Sequence, residues 1–263
     1  MHKIKIAFLA GCMNYQKGLS ENQRYHSVTN DLLLRMGIQT DMSLHSYRSY
    51  DSMTCKSVKV LEENNPDIFC LFIRHFPLFP LHKPFIKFEK SNGKTGWAIH
   101  PQLVTRKHKW NYKLTEFQST NDYIFKRKRK VEWRDLNILL GLCFGLDRWA
   151  YHYIKSEIEA VRKLCKEQNI KLVVVSPVRN PESVLGDFIC RRMALRLERF
   201  CKKEGLNYAN IANFGLAYFE EDKVHLNAEG HELMGKLIYE NIIDHSLSPL
   251  LQVAKEATLY SAV

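Results

Sequence analysis

Short, unbroken apolar runs alternate along this chain with segments of helical period, and that alternation limits the folds open to it. Ile4 to Ala10 is one such run, stopped at Gly11, and Ile68 to Ile73 is another, opened by Pro66-Asp67. Strands apolar on both faces must be covered on both faces, which is the condition of a buried parallel strand. Between the two runs, Tyr25, Val28, Thr29, Leu32, Leu33 and Met36 recur at helical spacing, and Gly37 stands where a glycine cap closes a helix. Residues 38–44 read as a strand and residues 53–64 as a helix. Downstream, Leu146 to Cys165 carries a long amphipathic stripe, Leu172 to Val175 is a strand, and Val184 to Cys201 is a helix closed by Gly205. Residues 206–211 suggest a last strand, and Leu233, Met234, Leu237, Ile238 and Ile242 a final helix. Strands separated by helices predict an α/β three-layer sandwich with a mostly parallel sheet. Ligands of such sheets bind outside the carboxyl ends of the strands, so the loops after Ala10, after Ile73 and before His225 should meet at one edge.

The rhythm breaks from Arg74 to about Asp135. Four prolines, many aromatics and the basic clusters Arg106 to Lys109 and Lys126 to Lys130 fall there without convincing periodicity. So long an irregular stretch inside one domain predicts an insertion or lid, placed at 78–135 within a single domain of residues 1–263, with short elements of its own.

Composition narrows the class. With 263 residues, 45% hydrophobic and 25% charged, the chain is an ordinary globular one. No apolar run approaches the roughly 20 residues of a membrane span, and the N-terminal run, with lysines among its isoleucines, reads as a strand and not a signal peptide. The seven cysteines (Cys12, Cys55, Cys70, Cys143, Cys165, Cys190 and Cys201) are scattered and form no C-x-x-C pair. They point to a reducing cytoplasm and away from a disulfide framework or a structural zinc. His82, His100 and His108 lack metal-ligand spacing, so no metal and no cofactor is expected. No G-x-S-x-G, G-x-x-x-x-G-K-[ST] or G-x-G-x-x-G motif occurs. The net charge of +11 favours anionic partners or a solvated basic face. Nucleic acid is not the expected partner, because a run such as Lys126 to Lys130 is more often a solvated edge.

The stretch Glu221-Asp222-Lys223-Val224-His225-Leu226-Asn227-Ala228-Glu229-Gly230-His231 carries the chemistry. A carboxylate three residues before a histidine can bond one ring nitrogen, fix the tautomer and support the imidazolium formed when the other nitrogen takes a proton. The same letters also fit an ordinary helix start, with Asn227 as N-cap and His225 and His231 on the surface.

Asp222-x-x-His225 followed by Leu-Asn-Ala-Glu-Gly-His resembles the closing block of the SGNH/GDSL hydrolases. The resemblance implies a flavodoxin-like architecture with the long insertion after the third strand. It also implies that His225 is a general base oriented by Asp222. Aligned without gaps on the family's Gly-Asp-Ser block, Phe8 to Asn14 puts Cys12 at the nucleophile position and Gly18 on a further glycine, with Ala10-Gly11 replacing Gly-Asp. A thiolate there is a competent nucleophile; Cys12 equally suits a tight turn as a small residue. The family's oxyanion asparagine is missing after the third strand, where Arg74-His75-Phe76-Pro77 follow Ile73. Arg74 is the candidate replacement, with Asn14 and the Gly11 backbone as further oxyanion or substrate-binding groups; otherwise Arg74 caps the sheet edge. The family's second-block glycine has no counterpart near His45 to Ser52.

The resemblance implies an acyl-group enzyme, an esterase, thioesterase or acyltransferase acting on an ester or thioester with Cys12, His225 and Asp222. Its partner would be an acidic carrier protein or coenzyme A. The alternative is an inactive member of the fold that binds an anionic partner through the basic insertion.

Overall fold

The two apolar runs are the central strands of a five-stranded sheet. The computed structural model describes residues 3–15, 18–47, 53–74, 85–89, 95–99, 131–179, 184–221 and 225–243. In chain order the elements are β1 (Ile4–Ala10), α1 (Tyr25–Arg35), β2 (Thr40–Ser46), α2 (Met53–Asn64), β3 (Ile68–Phe72), β4 (Phe85–Glu89), β5 (Thr95–Ile99), α3 (Val131–Cys143), α4 (Leu146–Glu167), β6 (Lys171–Val175), α5 (Val184–Lys203), β7 (Asn207–Ala209) and α6 (Ala228–Ile242). The main sheet runs β2-β1-β3-β6-β7, and each neighbouring pair is parallel. The sheet expected to be mostly parallel is parallel throughout.

Strand periodicity sorts the core into two layers, because successive side chains leave opposite faces. Ile6, Phe8, Ala10, Ile68, Cys70, Phe72, Val173 and Val175 pack with Tyr25 and Leu33 of α1 and with Met234, Ile238 and Ile242 of α6. Ala7, Leu9, Phe69, Leu71, Leu172 and Val174 pack the other way, onto α2, α3, α4 and α5. Both faces are therefore dry, and the strand interiors need no polar residue. Gly37 and Gly205 end α1 and α5 with φ of 78° and 65°, in the left-handed region that glycine tolerates. Gly235 serves a different need. A Cβ there would stand 2.7 Å from the Tyr25 carbonyl oxygen and from Val28 Cβ, so glycine lets α6 approach α1.

One element departs from the sequence expectation, while the insertion holds short elements as expected. Residues 131–143 form α3, and its Ile138 is fully buried against the α2 to α5 face. The helix starts inside the stretch assigned to the insertion. Within 78–135, β4 and β5 pair as an antiparallel two-stranded sheet. The rest of that stretch, with the clusters Arg106 to Lys109 and Lys126 to Lys130 and with His82, His100 and His108, lies outside the described residues. No described helix is long and apolar enough to cross a membrane.

Candidate active site

Two strand ends define the place. The chain leaves β1 toward β2 on one side and returns as β3 on the other, so the connections diverge and leave a crevice at the carboxyl ends of β1 and β3. Gly11 and the 3-10 turn Cys12–Tyr15 follow β1, and Ile73 and Arg74 follow β3. The two loops touch. A Cβ on Gly11 would stand 2.6 Å from Arg74 Nε and 2.8 Å from Cζ, so the guanidinium lies against the backbone immediately before Cys12. The side chain of Cys12 itself lies outside the described residues.

Tyr47 holds this arrangement. Its backbone N–H donates to the Ala10 carbonyl at 3.1 Å and its hydroxyl donates to the Phe72 carbonyl, which joins the ends of β1 and β3. Its own carbonyl accepts from Arg74 Nη1, and the Arg74 guanidinium carbon stands 5.6 Å from the centre of its ring. Burial raises the Tyr47 hydroxyl well above the ordinary tyrosine value, so it stays a neutral donor. Arg74 thus does what a sheet-edge cap does and also lies beside the turn that carries Cys12.

Asn14 is fully buried two residues after Cys12. Its Nδ2 donates to the His45 carbonyl at 2.9 Å, and its Oδ1 accepts from the Tyr25 hydroxyl. The carboxamide therefore ties the turn to the end of β2 and to the start of α1.

His225 precedes α6 and is 8% exposed. Its carbonyl accepts from the Glu220 N–H at 2.8 Å, and Phe219 bridges to Leu226, so the ends of the segment containing Asp222 are pinned together. Asp222 lies outside the described residues. Asn227 caps α6, as the helix-start reading requires: its side-chain oxygen accepts from the Gly230 N–H at 2.9 Å. The surface placement in that same reading is overturned, because His225 is buried and His231 has no exposed surface. The reason is the close approach of α6 to α1. His231 Nδ1 accepts the backbone N–H of Tyr25 at 3.3 Å, a first-turn donor of α1 that has no partner within its own helix. The ring stacks on Tyr25 with centroids 5.9 Å apart. Burial first, then the charges of His26, Arg24 and His225, push the His231 pKa down to about 4, so it caps α1 as a neutral ring.

Contacts therefore join His231, Tyr25, Asn14 and the turn after β1, and Arg74 joins that turn to the end of β3. Of the three loops expected at one edge, those after Ala10 and after Ile73 touch, and residues 222–224 of the third lie outside the described residues. Gly11, Asn14, Arg74 and His225 are placed at that edge. Tyr47 and Tyr25, which position these groups, carry no local sequence signal, since their partners lie many residues away in the chain.

No protein-family model matches the sequence, and no curated protein matches it. Solved structures do. The acetyl xylan esterase AlAXEase aligns over 91% of this chain and 100% of its own, at 14% identity and a TM-score of 0.51. The chain has the SGNH/GDSL hydrolase fold. The Clostridium thermocellum family 3 carbohydrate esterase aligns over 92% of this chain and 96% of its own, at 14% identity and a TM-score of 0.49. A member of the lipolytic protein G-D-S-L family from Veillonella parvula DSM 2008 aligns over 90% and 97%, at 9% identity and 0.45. At these identities the likeness is one of fold. Within the SGNH/GDSL fold, the positions that the sequence resemblance assigns to nucleophile and base fall on two loops of one carboxyl edge.

Proposed function

We propose that the protein is an acyl-group enzyme acting on an ester or thioester, with Cys12 as nucleophile, His225 as general base and Asp222 orienting the imidazole. The observation that carries this reading is the seat of Arg74 against Gly11 at the β1/β3 crevice, on the same edge as the buried His225. A guanidinium held beside the candidate nucleophile supplies a charged donor where the family's oxyanion asparagine is missing.

In the first half-reaction Sγ bonds to the substrate carbonyl carbon while His225 takes the thiol proton. The carbonyl oxygen becomes an oxyanion facing Arg74 and the backbone N–H groups of the Gly11–Asn14 turn. Collapse breaks the bond to the alcohol or thiol leaving group, which receives the proton from His225, and leaves an acyl-cysteine. In the second half-reaction His225 takes a proton from water or an acceptor as its heteroatom attacks the acyl carbon, and the thiol is restored. The basic insertion favours an acidic carrier protein or coenzyme A as the acyl donor.

Turnover of p-nitrophenyl acetate and of a short acyl thioester tests the reading. Cys12→Ala and His225→Ala should each abolish activity while the fold is retained by circular dichroism. Full activity in Cys12→Ala would sink the nucleophile, and no turnover or acylation of any ester or thioester would favour the inactive, partner-binding alternative.

A further inference from the structure

Helix α3 packs on the core through Ile138 and Leu142 but carries exposed leucines as well. Its Ile138 is buried, yet Leu136, Leu139 and Leu140 point outward, the latter two 49% exposed, and Phe144 just beyond its end is 80% exposed. An amphipathic helix normally turns its leucines to the core. Helix α5, which packs beside α3, exposes Val184, Phe188 and Leu195. Isolated exposed apolar residues are ordinary, but a clustered set of this size marks an interaction surface.

Beside this cluster runs an open groove of about 640 Å3 between α4 and α5. Five arginines, Arg148, Arg191, Arg192, Arg196 and Arg199, line it against one carboxylate, Asp147. Arg196 is held over the Tyr151 ring at 4.0 Å and stands 3.8 Å from Asp147, and Arg191 stands 3.3 Å from Asp187. Among the described residues Arg148, Arg192 and Arg199 make no ion pair. A smaller groove, of about 330 Å3, shares Arg196 and Arg199 and adds Lys155 and Lys203. Protruding Phe and Leu interleaved with unpaired arginines is the chemistry of a surface that inserts its apolar side chains at the headgroup boundary and pairs its cations with lipid phosphates. A nucleic-acid backbone would match the arginines but leave the leucines and Phe144 in water. A protein partner would have to answer Arg148, Arg192 and Arg199 with carboxylates of its own, and it would appear in the test below as a native chain that ignores anionic vesicles.

We propose that the face formed by α3 and the facing sides of α4 and α5 docks on an anionic lipid bilayer. Arg148, Arg192 and Arg199 meet the headgroup phosphates while Phe144, Phe188 and the α3 leucines enter the acyl boundary. Both α4 and α5 begin at the carboxyl edge of the sheet. Arg179, just past β6, binds Asp187 of α5 through Nε at 2.9 Å and Nη2 at 2.6 Å, so the docked face is fixed rigidly beside that edge.

Sedimentation with vesicles of pure phosphatidylcholine and of phosphatidylcholine containing phosphatidylglycerol tests this without any activity readout. Binding should appear with the anionic vesicles, be near zero with the neutral ones and weaken as salt rises. R148E/R192E/R199E should lower the anionic partition coefficient at least about tenfold, since each cation near the surface contributes on the order of 1 kcal/mol. F144S/F188S should weaken binding even at low salt, with melting temperature unchanged in both variants. The proposal is overturned if the native chain ignores anionic vesicles, or if it binds both vesicle types equally. Retained binding with a lowered melting temperature in F144S/F188S also overturns it, because the apolar face then serves the fold.

Discussion

At the scale of single residues, Gly11 and His231 carry the sharpest consequences. In Gly11→Ala the new methyl displaces the guanidinium of Arg74, the far end of a flexible side chain, and nothing in the core. Activity should therefore fall while the melting temperature barely moves. If Arg74 serves the oxyanion, Arg74→Ala should lower kcat by about 10²- to 10³-fold, the usual cost of one such donor. Steady-state kinetics beside a thermal melt checks both, and a Gly11→Ala enzyme of full activity would remove Arg74 from the site. His231 is held neutral, with its folded pKa at about 4 against an ordinary value of 6.5. Between those values the unfolded chain binds the proton and the folded chain does not, so stability rises with pH across the window and is lost on acidification. The loss begins below about pH 6.5, is complete near pH 4 and amounts to roughly 3 kcal/mol. His231→Gln keeps an acceptor for the Tyr25 N–H without the titration, so denaturant melts of this variant should show a much flatter slope from pH 7 to 4. His26, also held low by burial first, contributes slope of the same sign.

At the scale of elements, the loop that carries His225 depends on how tightly α6 begins. A Cβ on Gly230 would run into the Tyr218 carbonyl oxygen, whose other contact is the Asn227 N–H at 3.0 Å. Because the obstacle is backbone, Gly230→Ala must shift the whole 218–227 turn. It should cost about 1 to 3 kcal/mol, as overpacking does, and activity should fall along with stability. A melt and an assay on one preparation separate this outcome from that of Gly11→Ala, where only activity falls. The same contrast shows what was legible in the sequence. Period and punctuation were enough for the helix over 53–64, the cap at Gly37 and the strand after Pro66-Asp67, since each depends on near neighbours in the chain. Helix α3 was not legible, because Leu136, Leu139 and Leu140 are exposed and blur the short core-facing pair Ile138 and Leu142. Likewise His231 reads as a surface residue until α6 is placed on α1, and Tyr47 gains its role only once β1, β2 and β3 lie side by side.

At the scale of the whole molecule, the parallel sheet and its carboxyl edge followed from the alternation of apolar runs with helical stretches, and the closing block from a family resemblance. The insertion of 78–135 remains a proposal: we propose that its basic clusters engage an anionic acyl carrier or cofactor. Neutralising Lys126, Arg127, Lys128 and Arg129 together should weaken coenzyme A binding at low salt. The loss should shrink as the screening length falls from ~10 Å at 0.1 M to ~3 Å at 1 M. Melting temperature should barely move, since exposed charges contribute little to stability. Titration calorimetry at two salt concentrations checks this, and a large drop in melting temperature with unchanged affinity would make the insertion structural.

The central claim is that Cys12 becomes acylated, and the thiols make it directly measurable. Burial raises Cys70 far above the ordinary thiol value and pushes Cys165 and Cys201 up to about 12, so these three stay protonated and unreactive at neutral pH. Cys55 and Cys143 are exposed, and they are the thiols that Cys12 must outcompete. Intact-mass analysis after brief exposure to a panel of acyl thioesters, followed by peptide mapping, should find a single acyl group on Cys12. It should be absent in Cys12→Ala and slow to form in His225→Ala. An acyl group on Cys55 or Cys143 instead, formed equally well in Cys12→Ala, would contradict the account.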